Sequence, residues 1–150
     1  MSQLFLQDCE VGQVYPLGQL TISEQDIISF ARHYDPQVFH LDPKAAADTI
    51  YGGIIASGWH TASLFMRLFV DGLLIRAAGL GSPGLDELRW LEPVRPGDRL
   101  AAHVEVLETR PSRSKLDRGL VRFRCVVANG AEREVLTFLG TVLFQKRETG

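Results

Sequence analysis

The segment Y-D-P-Q-V-F-H-L-D-P places a carboxylate, Asp35, five residues before an imidazole, His40, with a proline between them. Across a turn, two such side chains can converge on one water molecule. The pair suits general acid–base work near neutral pH, where histidine titrates and a partly buried carboxylate can be tuned toward it. Both residues also have plainer uses. Asp before Pro is a common turn residue, and His40, between Phe39 and Leu41, fits a hydrogen-bonded core histidine. A second constellation is A-S-G-W-H, Ala56 to His60, at the mouth of a long apolar stretch. Gly58 at a helix start would present a backbone N–H at the positive end of the dipole, where it can polarise a carbonyl oxygen as charge builds. The plainer use makes Ser57 an N-cap and Gly58 a close-packing position. Ser57 lies in no nucleophile-elbow motif, so it is not read as a nucleophile. His60 is read as structural. The spacing of His33, Asp35, His40 and His60 matches no common metal site, and no Gly-rich phosphate loop occurs; no metal, flavin or nicotinamide is expected.

Elements must bring these groups together. Val14 to Thr21 reads as a strand. Ser23 is an N-cap with Asp26 three residues later, and Ile27, Phe30 and Ala31 give the helix that follows one apolar face, ending near Tyr34 at Asp35-Pro36. Asp42-Pro43 opens a short helix as N-cap and first helical residue. From Ser57 to about Ala78 the pattern is one helix, roughly 30 Å long. His60, Ser63, Arg67 and Asp71 form a narrow polar stripe on it, and the rest is apolar, so something must wrap it. The C-terminal half supplies the wrapper. Leu85 to Leu91, Leu100 to Thr109, Leu120 to Ala128 and Val135 to Phe144 read as strands. Val121, Phe123, Cys125 and Val127 share one face; Arg122 and Arg124 share the other. Asn129-Gly130 predicts a two-residue type I′ hairpin, and the last strand, apolar on both faces, belongs inside its sheet. A long central helix wrapped by a curved antiparallel sheet is an α+β arrangement, the layout of a hot-dog fold.

The 150 residues, 45% hydrophobic and 23% charged, fit a single domain spanning residues 1–150 with a proper core. Sixteen basic and eighteen acidic residues leave a net charge of -2, too little field to grip nucleic acid or an anionic membrane. Thirteen of the sixteen basic residues are Arg, which genomic base composition accounts for more simply than anion binding. Cys9 and Cys125 lack the spacing of a disulfide framework. The N-terminus has neither a basic start nor a long apolar run, and Arg67, Asp71 and Arg76 interrupt the longest apolar region. Neither a signal peptide nor a membrane span is expected, and the expectation is a cytoplasmic protein.

The runs F-A-R-H-Y-D-P-Q-V-F-H-L-D-P-K-A-A and G-G-I-I-A-S-G-W-H-T-A-S-L resemble the MaoC-like dehydratase family, hot-dog enzymes of the (R)-specific enoyl-CoA hydratase type. V-R-P-G-D-R-L and the S-R-S-K-L-D-R-G loop fit as well, so the resemblance runs from about Val11 to Phe144. It implies Asp35 and His40 as the catalytic pair and Gly58 as the amide facing a thioester oxygen. Gln37-Val38 stands where the enoyl hydratases have Asn-Pro. The implied reaction adds water to a 2-enoyl-CoA to give a 3-hydroxyacyl-CoA, or reverses it, with coenzyme A as substrate carrier and no other cofactor. Ser57 and Trp59 beside Gly58, with Arg113 and Lys115 in the basic loop, are the expected substrate contacts. An acyl tunnel between helix and sheet fits the same picture. A hot-dog thioesterase and a non-catalytic acyl-thioester-binding subunit are the alternatives. A carboxylate on the long helix would favour the first, and that helix offers only Asp71, far from its start. The second draws on the Gln37-Val38 departure. A curled sheet with open edges predicts a homodimer or higher homo-oligomer.

Overall fold

Alternation of apolar side chains organises the molecule, a computed structural model of which describes residues 2–148. Five strands, β1 (Val14–Thr21), β2 (Gly84–Trp90), β3 (Arg99–Pro111), β4 (Arg118–Ala128) and β5 (Glu134–Gln145), form one antiparallel sheet in the order β1-β3-β4-β5-β2. β5 is interior, between β4 and β2, in keeping with its two apolar faces. Leu100, Val104 and Val106 of β3 and Val121, Phe123 and Cys125 of β4 are fully buried on the inner face. Burying each such large side chain contributes roughly 1.5–3 kcal/mol. Buried Cys9 and Cys125 are free thiols, pushed up by desolvation to about 11 and about 12 respectively.

The inner face packs on α4 (Gly58–Gly72). Phe65 meets Phe138 of β5 edge-on at 5.0 Å, and Phe69 meets Phe123 of β4 at 5.5 Å. The helix is shorter than its apolar pattern predicts. It stops at Gly72, and only a 3₁₀ turn, Leu74–Arg76, follows. The backbone leaves helical geometry at Leu73, with φ -144° and ψ -54°, beside a close approach to β1 that only glycine allows: a Cβ on Gly72 would lie 2.8 Å from the Leu17 Cα. Nor is the helix wrapped on most sides. Trp59, Met66 and Val70 are 58%, 47% and 36% exposed. His60 leaves the predicted polar stripe and is buried, whereas Arg67 and Asp71 remain outside as an ion pair at 2.7 Å.

Between β1 and α4 run three short helices, α1 (Glu24–Tyr34), α2 (Val38–Leu41) and α3 (Pro43–Ala47). Ser23 Oγ accepts the Asp26 N–H at 3.1 Å, and Asp42 Oδ1 accepts those of Lys44 and Ala45, so both predicted caps form. The β4–β5 connection is not a two-residue turn. Asn129 Oδ1 accepts from the Ala131 and Arg133 N–H groups, and the chain closes with Glu132 at a φ of 62°. The asparagine side chain thereby stabilises a wider loop from 129 to 133. No helix among the described residues is long and apolar enough to cross a membrane.

Candidate active site

Asp35 is the residue at which α1 ends. Its N–H still donates to Ala31 O, but its φ and ψ of -153° and 67° have left the helix, as the following Pro36 requires. One turn on, α2 carries His40, which is 4% exposed. The segment before α4 is tied on both sides: the Ile55 N–H donates to Phe39 O at 3.0 Å and the Ala56 N–H to Val94 O at 2.8 Å. This brings the Ile55 carbonyl to 2.8 Å from His40 Nδ1. His40 Nε2 then lies 3.2 Å from Asp35 Oδ2.

The Asp35 carboxylate accepts two further hydrogen bonds, from Ser57 Oγ to Oδ2 at 2.7 Å and from Gln37 Nε2 to Oδ1 at 2.7 Å. Burial pushes the Asp35 carboxyl up, but the bonds from Gln37 and Ser57, with the charge and hydrogen bond of His40, outweigh it and hold the group below the ordinary carboxylate range. The His40 tautomer is set by its partner. A carbonyl oxygen only accepts, so Nδ1 carries a hydrogen. Asp35 Oδ2 also only accepts, so the Nε2–Oδ2 contact becomes attractive when Nε2 gains a proton as well. The arrangement can take up a proton and hold it as an imidazolium–carboxylate pair.

Asp35, His40 and Gly58 line one cavity of about 390 Å³, together with Trp59, Trp90 and Tyr51. Gly58 is the first residue of α4, and among the described residues its N–H has no backbone acceptor. Ser57 is placed differently from its expected role. It is fully buried, caps nothing, lies outside the cavity lining, and its hydroxyl is committed to Asp35. Arg113 and Lys115 line a separate groove of about 590 Å³ on the β3–β4 hairpin, which shares no residue with the Asp35–His40 cavity. Asp71 is paired with Arg67 on the outer surface of α4. His60 stacks on Phe30, with rings 4.7 Å apart and 6° from parallel, and burial pushes its pKa down.

Two contributors were not legible as site residues. Trp90 of β2 lies flat on Gly58, where an added Cβ would fall 2.4 Å from its ring, and its Nε1 donates to Gly58 O at 2.8 Å. Gln37 stood out only as a departure from the family motif, and nothing in its type announced a bond to Asp35. For Trp90, position in an alternating strand carried no signal.

An antiparallel sheet packed on a long helix, with a carboxylate–imidazole pair beside the start of that helix, is the arrangement of hot-dog hydratases and dehydratases. The chain belongs to the MaoC-like dehydratase family: the family model described as a MaoC like domain matches residues 8–131. The crystal structure of a MaoC-like dehydratase from Rhodospirillum rubrum superposes with a TM-score of 0.90 at 38% identity, covering 97% of this chain and 99% of that one. The unliganded R-hydratase from Pseudomonas aeruginosa gives 0.80 at 28% identity, with 99% and 92% covered. A 3-hydroxybutyryl-CoA dehydratase from Methylorubrum extorquens is 34% identical over 131 residues, 86% of this chain and 77% of that protein.

Proposed function

We propose that the protein adds water to a 2-enoyl-CoA, giving a 3-hydroxyacyl-CoA, or runs the same reaction in reverse. The observation that carries this reading is the Asp35–His40 pair with His40 Nδ1 held on the Ile55 carbonyl, in the same cavity as the Gly58 amide. A 2-enoyl thioester is electrophilic at C3 once its carbonyl is polarised. The Gly58 N–H stabilises the oxygen on which negative charge develops, at the positive end of α4. A water hydrogen-bonded to His40 Nε2, beside the Asp35 carboxylate, loses a proton to Nε2 as its oxygen bonds to C3. The new imidazolium is stabilised by the Asp35 carboxylate. It then returns the proton to C2 on the same face, so His40 ends neutral and one water has been added. Coenzyme A is the substrate carrier in this scheme, and the chain's own residues supply the acid, base and oxyanion donor.

The apolar cavity that shares Trp59 with the site fits the acyl chain. It measures about 470 Å³ and is lined by Phe65, Met66 and Phe69 of α4 with Leu85, Leu88 and Phe138 of the sheet. Arg113 and Lys115 suit the phosphates of the carrier. Within one chain they lie apart from the cavity, so a part in this site requires a second chain. β2 is an edge strand, and Leu85 and Trp90 on it are 49% and 44% exposed beside exposed Trp59 and Met66. A homodimer covers this apolar edge.

The test is a panel of 2-enoyl-CoA thioesters with loss of conjugation and release of free thiol followed together. Hydration removes conjugation without thiol. Thiol release would establish a thioesterase instead, and binding without turnover would establish an acyl-thioester-binding subunit.

A further inference from the structure

Thr61 lines the catalytic cavity from α4 and is 2% exposed, yet among the described residues its hydroxyl makes no hydrogen bond. It also differs from Tyr15 Oη and His60 Nδ1, which are sealed inside the fold without partners. The Thr61 hydroxyl keeps an accessible face, and the cavity is where the residue is open. The other side-chain donors there are accounted for. His40 Nδ1 donates to Ile55 O and Trp90 Nε1 to Gly58 O, while Trp59 and Tyr51 are exposed enough for water to serve them. A buried hydroxyl left unpaired destabilises a fold, and a ligand that brings an acceptor removes that cost. Thr61 stands three residues after Gly58, one turn along the same face of the helix. Helical side chains lean toward the N-terminus, which carries Thr61 back over the turn that Gly58 opens. An amide N–H and a hydroxyl, neither with an acceptor in the fold, thus face one region of the cavity.

We propose that the Thr61 hydroxyl is a second oxyanion donor, giving its hydrogen bond to the same thioester oxygen that the Gly58 N–H serves. As negative charge develops on that oxygen, the bond from Thr61 shortens and strengthens, because a hydroxyl bonds a charged oxygen more tightly than a neutral one. The stabilisation is therefore larger in the transition state than in the bound substrate. This rests on the acyl-thioester reading above and adds to it a catalytic side chain on α4.

The experiment compares wild type with Thr61→Val, Thr61→Ala and Thr61→Ser. Hydration of crotonyl-CoA gives kcat and KM, and infrared spectra of bound butyryl-CoA, labelled with carbon-13 at the thioester carbonyl, report hydrogen bonding to that oxygen without any turnover. Thr61→Val keeps the branched shape and removes only the hydroxyl; Thr61→Ala is the second deletion, with the same expectation. Each is expected to lose on the order of 100-fold in kcat, with KM within a few-fold of wild type. Thr61→Ser is expected to regain most of the loss. The carbonyl stretch of bound butyryl-CoA is expected at higher frequency in Thr61→Val than in wild type or Thr61→Ser. Turnover that survives both deletions overturns the assignment, as does a loss confined to KM or one that Thr61→Ser does not recover. A carbonyl stretch that does not move overturns it too, and with kcat lost it would put the hydroxyl on the attacking water instead. Failure of the hydratase reading looks different: crotonyl-CoA is not hydrated, yet the stretch still differs between wild type and Thr61→Val. A protein that binds no acyl-CoA overturns both.

Discussion

Replacing Asp35 by asparagine separates charge from shape at the centre of the proposed mechanism. The carboxylate accepts from Gln37 and Ser57 at 2.7 Å each, and His40 Nε2 lies 3.2 Å from it. Asparagine keeps the turn-forming side chain, and its carbonyl oxygen can still accept from Ser57. Its NH₂ then faces Gln37, whose amide can rotate to present oxygen, so the packing survives. Hydrogen bonds to a charged group contribute about 1.5–3 kcal/mol against about 1 kcal/mol for neutral ones, so a stability loss of about 1–2 kcal/mol is expected. The catalytic loss is larger. Two unit charges 3.2 Å apart attract by about 5 kcal/mol at an effective dielectric of about 20, an upper bound on what Asp35 supplies to the imidazolium. About half of that bound, ~2.7 kcal/mol, already corresponds to ~100-fold in rate. Asp35→Asn is therefore expected to bind substrate and to lose at least ~100-fold in kcat. The assay follows loss of enoyl conjugation, with thioester affinity measured separately and folding checked by circular dichroism. A folded Asp35→Asn protein that hydrates a good substrate within a few-fold of wild type would refute the reasoning and leave Asp35 a turn residue.

Gly58→Ala must push Trp90 aside, an overpacking expected to lower stability by about 1–3 kcal/mol; Trp90→Ala in the same chain should recover part of that loss in thermal melts. His60 has its pKa lowered by burial, so the unfolded chain takes up this proton first. Stability from this site is thus complete above the ordinary value of 6.5 and is lost as pH falls below it, by up to about 1.4 kcal/mol per pH unit. Urea midpoints on either side of that value should separate in wild type and converge in His60→Gln. A charge on the open edge of β2 opposes assembly: the wild type is expected to sediment as at least a dimer at micromolar concentration, and Leu85→Lys to shift it toward monomer. A wild type that is monomeric there removes the basis for shared sites.

What the sequence determined by itself is local. Ser23 and Asp42 cap helices because their side chains reach an N–H two or three residues on. Asp35-Pro36 ends α1 because proline excludes helical geometry at the residue before it. Alternation at Val121, Phe123, Cys125 and Val127 selects a buried face because successive strand side chains point oppositely. The five-residue spacing of Asp35 and His40 holds them near one turn, so the pair could be read in advance. Tertiary structure decided everything that depends on distant chain. The bonds from His40 to Ile55, Ser57 to Asp35 and Trp90 to Gly58 span 15, 22 and 32 residues, and no local pattern encodes them. The same holds where apolar periodicity overstated α4, whose backbone leaves the helix at Leu73, beside the close approach of Gly72 to Leu17 of β1. Asn129 chose a wider loop over the two-residue turn by accepting two N–H groups with its side chain. The chemistry-bearing residue types lie in short stretches of sequence, but their protonation, orientation and access are set by backbone carbonyls and rings that only folding brings beside them.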